Sequence, residues 1–375
     1  MKDVIVVGGG LSGLVSSILL ARAGLRVTLY EKNSYPFHRV CGEYISNEVI
    51  PFLENHDLFP SHLAPSSIDQ LTISSASGRS FSHPLDLGGF GISRYAYDAW
   101  LAGEARKSGV QLHENCKVRG VRFLQDERLF EVESAHHGTH HASLVILAHG
   151  KRSILDQHLQ RPFLANRSPY VGIKYHVKTD FPANTIALHN FTGGYCGISK
   201  IEGERYNICY LAERKLLRKY GDIPEMEKNV LYQNPMLREL FENSEFLLDN
   251  PQVINEISFS IKSPVEGNFL FAGDASGMIT PLCGNGMAMG IHAAKLLTET
   301  ILNHRSENKL LLEDILRSYE QQWKAHFGLR LKIGRTIQNG LFGKPFPSEL
   351  AVVLGKTIKP LTRALIRQTH GEPFS

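Results

Sequence analysis

A chain of 375 residues with 42% hydrophobic and 21% charged side chains has the make-up of an ordinary soluble globular protein, long enough that two intimately packed domains are expected. Its 41 Lys and Arg against 37 Asp and Glu leave a formal charge of +4, too small and too dispersed for nucleic acid to be the main partner. Five cysteines (Cys41, Cys116, Cys196, Cys209, Cys283) are odd in number and lack CxxC spacing, which reads as reduced thiols rather than disulfides or zinc.

The first predicted element is a buried strand over Val4 to Val7 that runs into Gly8-x-Gly10-x-x-Gly13 and then an apolar-periodic helix, Leu14 to Ala23, closed by Gly24. This is a strand-turn-helix dinucleotide cradle. Gly8 permits the tight turn, Gly10 leaves room for a pyrophosphate and Gly13 lets helix and strand pack closely. Leu11 and Ser12 lie between them, where the helix N-terminus faces the anion. A second strand, Arg26 to Tyr30, ends in Glu31 and Lys32, about 20 residues on, where a carboxylate can bind a ribose 2′-hydroxyl and disfavours a 2′-phosphate. A strand beginning at residue 3 or 4 leaves no room for a signal peptide, and no apolar run approaches the roughly 18 residues of a membrane span, so a cytoplasmic location is expected.

A turn, HRVCGEY, then leads into a helix carrying Val49, Ile50 and Leu53. The stretch LTISSASGRSFSHPLDLGGFGISR has the look of a β-hairpin, followed by a helix from Tyr95 to Lys107 with Ser93 as N-cap. Residues 110–150 read as strands with Gly138 at a hairpin tip. From about 165 to 265 the strands YVGIKYHVKT, NTIALHNFTGGYCGISKI and RYNICYLAE, with short helices around 225–243, predict an antiparallel sheet with helices on one side, inserted as a substrate domain. The strand GNFLFAGD returns to the first domain, a helix spans Gly284 to Leu302, and another runs from Leu310 to about Ile333. The expected division is 1–165 with 266–305 for nucleotide binding, 166–265 for substrate with help from the 60–95 hairpin, and 306–375 as C-terminal helices.

Four segments in this order and spacing (the N-terminal cradle, ISRYAYDAWLAGEARKSGV, VILAHGKRS and FAGDASGMITPLCGNGMAMGIHAA) resemble the flavoprotein monooxygenases of the p-hydroxybenzoate hydroxylase type. The close relatives of that group are geranylgeranyl reductases and flavin-dependent halogenases. The resemblance covers nearly the whole chain. It implies an α/β fold: a Rossmann-like, three-layer FAD-binding domain with a parallel sheet, an inserted antiparallel-sheet substrate domain and a C-terminal helical segment. It also implies FAD as cofactor, with Gly8, Gly10, Gly13 and Glu31 holding the ADP half and Arg39 and Arg94 approaching phosphates or ribityl oxygens. Gly273 and Asp274 would bind the ribityl chain. Pro281, Gly284, Asn285, Gly286 and Met287 would lie beside the isoalloxazine, where a helix dipole stabilises the anionic reduced ring.

One departure concerns electrons: where the family has Ala-Asp-Gly, this chain has Ala148-His149-Gly150. Either direct reduction by NADH or NADPH is impaired, with a separate electron-donor protein in its place, or His149 is a surface substitution without consequence. Halogenases carry a Trp-x-Trp-x-Ile-Pro stretch that is missing here. The turn Arg39-Val40-Cys41-Gly42-Glu43 resembles the Cys-Gly-Gly turn of geranylgeranyl reductases with glutamate in place of the second glycine. Cys41 is a candidate proton donor near the flavin with Glu43 orienting it, or both are structural. Cys283 is a candidate by its position beside Pro281, and Cys196 is expected to line the substrate cavity.

The resemblance leaves open the reduction of a carbon-carbon double bond in a hydrophobic isoprenoid- or polyketide-like substrate, hydroxylation of an aromatic or polyketide-like one, and a non-catalytic FAD-binding subunit. His136, His137, His140 and His141 read as a solvated hairpin rather than a metal site. Lys356, Lys359, Arg363 and Arg367, spaced among apolar residues, predict a basic helix that caps the nucleotide domain or contacts an anionic membrane peripherally.

Overall fold

The computed structural model describes residues 2–165, 168–257, 259–278, 285–306, 309–358, 360, 362–364, 366 and 371–375. The chain opens with β1 (Lys2–Val7), α1 (Leu11–Arg22) and β2 (Val27–Tyr30). The helix starts three residues before the predicted Leu14, because Gly10 already has the extended N-cap conformation and Leu11 is buried. Next come β3 (Tyr44–Ser46), α2 (Ile50–Asn55), β4 (Ser66–Ser74), β5 (Ser80–Gly91) and α3 (Arg94–Lys107). The Ser93 hydroxyl caps α3 by accepting the Ala96 N–H at 3.1 Å. Then follow β6 (Gln111–His113), β7 (Val118–Leu124), β8 (Leu129–Ser134), β9 (Gly138–Leu147) and α4 (Ile154–His158).

The first sheet has the order β9-β1-β2-β6 at its parallel centre, with Val4 in register with Val27 on one side and Leu144 on the other. Alternation sends Val4 and Val6 into a core with α1, whereas Ile5 and Val7 meet Phe130, Val132 and Leu147 on the opposite face. A central parallel strand buried on both faces is why VIVV contains no polar residue.

The second sheet contains β10 (Tyr170–Lys178), β11 (Thr185–Phe191), β12 (Gly194–Lys200) and β13 (Tyr206–Glu213). Helices α5 (Arg214–Tyr220), α6 (Ile223–Val230) and α7 (Pro235–Glu242) follow, then β14 (Glu245–Phe246) and β15 (Gln252–Ile257). The predicted strand NTIALHNFTGGYCGISKI is a hairpin of β11 and β12, turned at Gly193 with φ +84°. The sheet is not purely antiparallel: β11 pairs with β4 in parallel, so β3 to β5 extend the same sheet. Ile173, Tyr175, Ile208 and Tyr210 pack toward α6 and α7. Cys196 lies in that helix-facing core as well, which corrects its expected place in the cavity. Successive residues of β12 point to opposite faces, and Tyr195, Gly197, Ile198 and Ser199 line the cavity while Cys196 does not.

The chain returns through β16 (Val265–Glu266) and β17 (Phe269–Phe271), the latter parallel to β9, and continues into α8 (Gly286–Asn303), α9 (Leu312–Leu341) and α10 (Pro345–Thr357). Helix α9 runs eight residues past the predicted end near Ile333. The basic helix expected beyond Lys356 does not continue α10, which ends at Thr357, and Arg363 pairs with Asp86 at 2.7 Å. Lys359 and Arg367 lie outside the described residues. The C-terminal residues fold back: Phe374 stacks on His292 with ring centroids 4.0 Å apart. Among the described residues no helix is long and apolar enough to cross a membrane.

Candidate functional site

The three cradle glycines have different duties. A Cβ on Gly13 would fall 2.0 Å from the Gly8 carbonyl oxygen, and one on Gly8 would fall 2.4 Å from the Ala148 oxygen, so both serve close packing. A Cβ on Gly10 meets nothing nearer than the Arg94 Nη2 at 3.6 Å. Gly10 therefore faces open space beneath a guanidinium at the start of α1, the geometry an oxyanion needs. Ser12 also lines the cavity and ties α1 to α8 through its hydroxyl, which donates to the Gly290 carbonyl at 2.8 Å. Leu11 is buried at the cavity edge, and Lys32 is exposed there.

Glu31 is 3% exposed; its Oε2 accepts from the Gly9 N–H (2.8 Å) and Arg39 (3.1 Å), and its Oε1 accepts from the Asn33 N–H at 3.0 Å. A carboxylate has about four lone-pair directions, so capacity remains for a ribose hydroxyl. Both arginines converge on Asp98, buried in α3: Arg94 donates from Nε (2.6 Å) and Nη2 (2.7 Å), and Arg39 from Nε at 3.0 Å. Asp98 was missed from the sequence, although its i,i+4 spacing from Arg94 on a capped helix was a usable signal.

On the return segment Gly273 adopts φ +61° and Asp274 lines the cavity. The Lys262 ammonium donates to the carbonyls of Asp274 (2.9 Å) and Lys151 (2.7 Å), and burial brings it down to about 8. Gly286 and Met287 line the cavity at the N-terminus of α8, with Asn285 buried just before them. Pro281, Cys283 and Gly284 lie outside the described residues.

Between cradle and second sheet runs a cavity of about 1140 Å³. Its far half is apolar, with Ile186, Leu188, Tyr195, Leu211, Ile254 and Met278. Its near wall is the 38–44 turn, where Cys41 lines the cavity but is not oriented by Glu43. The Glu43 carboxylate is fully buried and committed elsewhere. Oε1 accepts from the Lys174 ammonium (2.5 Å) and the Arg94 N–H (2.8 Å), while Oε2 pairs with His176 Nε2 at 2.6 Å. These partners hold it near 2, against a burial penalty that acts the other way. At Glu43 φ is +54°, a region glycine enters freely and other residues enter at a cost. That explains how a glutamate is accommodated at this turn: the three contacts, from Lys174, the Arg94 N–H and His176, offset the strain. Lys174 and His176 were also missed; their alternation with Ile173 and Tyr175 marks a strand with one polar face.

Cys209 on β13 also lines the cavity, and burial pushes its thiol up to about 12. It is expected to stay unmodified by iodoacetamide in the native protein at about pH 8 and to react once the chain is unfolded, because the thiolate is the nucleophile. Peptide mass spectrometry showing rapid native labelling at Cys209 would contradict this placement.

His149 is not a surface substitution. Its side chain is 5% exposed, lines the cavity and pairs through Nε2 with the buried Asp156 at 3.0 Å. Asp156 also accepts from Arg161 Nη1 at 3.0 Å, and Arg161 reaches Glu266 at 2.7 Å.

A glycine-opened helix under a guanidinium, an acid at the end of the second strand and an apolar cavity leading away from them define a flavin-dinucleotide oxidoreductase. The chain belongs to the FAD binding domain family, which it matches over residues 1–326, and FAD is its cofactor. It is 23% identical to conditioned medium factor receptor 1 of Dictyostelium discoideum, over 94% of this chain and 73% of that protein. It is likewise 23% identical to digeranylgeranylglycerophospholipid reductase of Methanococcus vannielii, over 86% of this chain and 82% of the relative. Among solved structures it resembles the flavin-dependent brominase Bmp2, with a TM-score of 0.79, 17% identity, all of this chain and 94% of the other covered. At that identity the likeness is one of fold.

The open face of Gly10, the guanidinium above it and the unfilled capacity of Glu31 fit the ADP half of FAD. The described part of the α8 N-terminus fits the ring. When bound, the flavin supplies hydride or oxygen chemistry; the chain itself orients the substrate and excludes water.

Proposed function

We propose that the protein reduces a carbon-carbon double bond in a hydrophobic substrate of isoprenoid or polyketide type, with NADH, NADPH or a separate donor protein supplying the electrons. The observation that carries this reading is the apolar far half of the cavity, continuous with the cradle. A long apolar substrate can bury its surface against these side chains. The reductase among the relatives and the turn at Cys41 support the same reading. Against halogenation, in spite of the brominase-like fold, stands the absence of the Trp-x-Trp-x-Ile-Pro stretch from the sequence.

The test is anaerobic reduction of the flavoprotein, first with NADH and NADPH and then with dithionite, followed by incubation with prenylated and polyketide-like alkenes. A product heavier by two hydrogens, formed without oxygen, supports reduction. A product heavier by one oxygen, formed only in air, overturns it in favour of hydroxylation. Flavin that dithionite bleaches but no substrate reoxidises would point to a non-catalytic FAD-binding subunit.

A further inference from the structure

We propose that His149 recognises the pyrophosphate of FAD and takes up one proton from solvent when the cofactor binds. Its place in the fold is the first reason. A Cβ on Gly8 would lie 2.8 Å from the His149 Cα, so this residue abuts the first glycine of the cradle and lines the same cavity. The two ring nitrogens are the second reason. Nε2 is anchored on Asp156, whose other oxygen accepts the Ser153 N–H at 2.6 Å, whereas Nδ1 is buried with no hydrogen-bond partner among the described residues. A buried ring nitrogen without a partner is costly unless a ligand supplies one.

Charge is the third reason. Arg94, beside Gly10, and Arg39, on the Gly9 carbonyl, share Asp98, and Arg39 also meets Glu31; within this cluster two guanidiniums and two carboxylates sum to zero. A dianionic pyrophosphate placed against this balanced cluster draws positive charge to whichever neighbour can still gain it. The groups facing His149 are Asp156, Arg161 and Lys262, with the Phe271 ring edge-on to it at 6.2 Å. Burial, together with Arg161 and Lys262, holds the imidazole below its ordinary value in spite of Asp156, so without an anion it is neutral at pH 7. With the anion present, a proton from solvent adds to Nδ1, the Nε2 proton stays toward Asp156, and Nδ1–H donates to a phosphate oxygen. The N–H bond forms as a hydronium or buffer acid gives up its proton, and no other bond changes.

Linkage sets the sign. A ligand whose binding takes up a proton binds more weakly as pH rises, by at most about tenfold per pH unit for one proton. The FAD affinity of the apoprotein, read by quenching of flavin fluorescence, is therefore expected to fall several-fold per unit between roughly pH 6 and 7.5. This window lies below the titration of Lys262. His149→Gln, which keeps a neutral amide against Asp156, is expected to bind FAD with an affinity flat across the window. Titration calorimetry of the wild-type protein in phosphate and in Tris, whose ionisation enthalpies differ, should count close to one proton taken up at about pH 7.

A flat wild-type affinity, an unchanged slope in His149→Gln or a proton count of zero would overturn the proposal. The calorimetric count needs no variant and decides the matter if His149→Gln does not fold. The inference rests on FAD being the cofactor, and the two fail differently. No FAD binding at any pH sinks both, whereas tight binding without proton uptake sinks only the role of His149.

Discussion

Gly10→Val is expected to give a folded protein that retains no flavin, while Gly13→Val is expected to fold poorly whether or not flavin is supplied. Both are cradle glycines, and the difference comes from what surrounds them. At Gly10 the backbone is already extended, with φ −84° and ψ −179°, which valine adopts without strain, and the nearest neighbour of a new Cβ is the end of the Arg94 side chain at 3.6 Å. The cost to the fold is the weaker N-cap, about 1 kcal/mol. The isopropyl group, however, occupies the space the pyrophosphate needs. At Gly13 the new Cβ would sit 2.0 Å from the Gly8 carbonyl, so β1 and α1 must part, at a cost on the order of 3 kcal/mol. Visible absorbance after reconstitution with FAD, set beside urea unfolding, checks both. A yellow, stoichiometric Gly10→Val protein would move the anion site away from the cradle.

The second large effect is expected at Glu43. Glu43→Ala leaves the fully buried Lys174 ammonium without its counter-charge and removes the anchors of His176 and the Arg94 N–H. Breaking one side of such a pair costs about 3–5 kcal/mol, largely because the remaining charge stays buried. The melting temperature should fall by roughly 4–6 °C. The double variant Glu43→Ala, Lys174→Met should recover much of the loss, since it removes the stranded charge. A double variant no more stable than Glu43→Ala would show that the ion pair is not the source of the effect.

The pH dependence follows from the same geometry. The Glu43 carboxylate is held near 2, below its unfolded value of 4.5, so its stabilisation is complete above about pH 4.5 and is lost as pH falls toward 2. Acid unfolding of Glu43→Ala should lack that component.

The positions that carry chemistry divide by how far apart in sequence their partners lie. The cradle is local: strand, three glycines, helix and Glu31 fall within 31 residues, and each demand on φ, on close approach or on charge is met by the residue type itself. That is why the dinucleotide site was legible. Asp98 was within reach, four residues from Arg94 on a helix whose N-cap was recognised. Lys174, His176 and Asp156 were not. A lysine in a strand is ordinarily a solvated residue, and nothing near position 174 announces a carboxylate 131 residues earlier. The same holds for the 38–44 turn: its sequence offered Cys41 and Glu43 as partners of one another, but the backbone turns Glu43 toward β10. Cys196 was misplaced because the resemblance put its strand beside the cavity, while alternation along β12 says only that two faces exist.

The sequence by itself determined the nucleotide cradle and the alternation of strands and helices, because these follow from short-range sterics and periodicity, while FAD as the cofactor followed from the resemblance of its four segments to a flavoprotein family. Only the tertiary structure decided that β3 to β5 join the second sheet, that Glu43 bridges to Lys174 and His176, and that His149 is buried against Asp156 beside Gly8. Those outcomes depend on which surfaces meet when two sheets close around one cavity. Burial then turns side chains that would be unremarkable in water into a fixed network of charge.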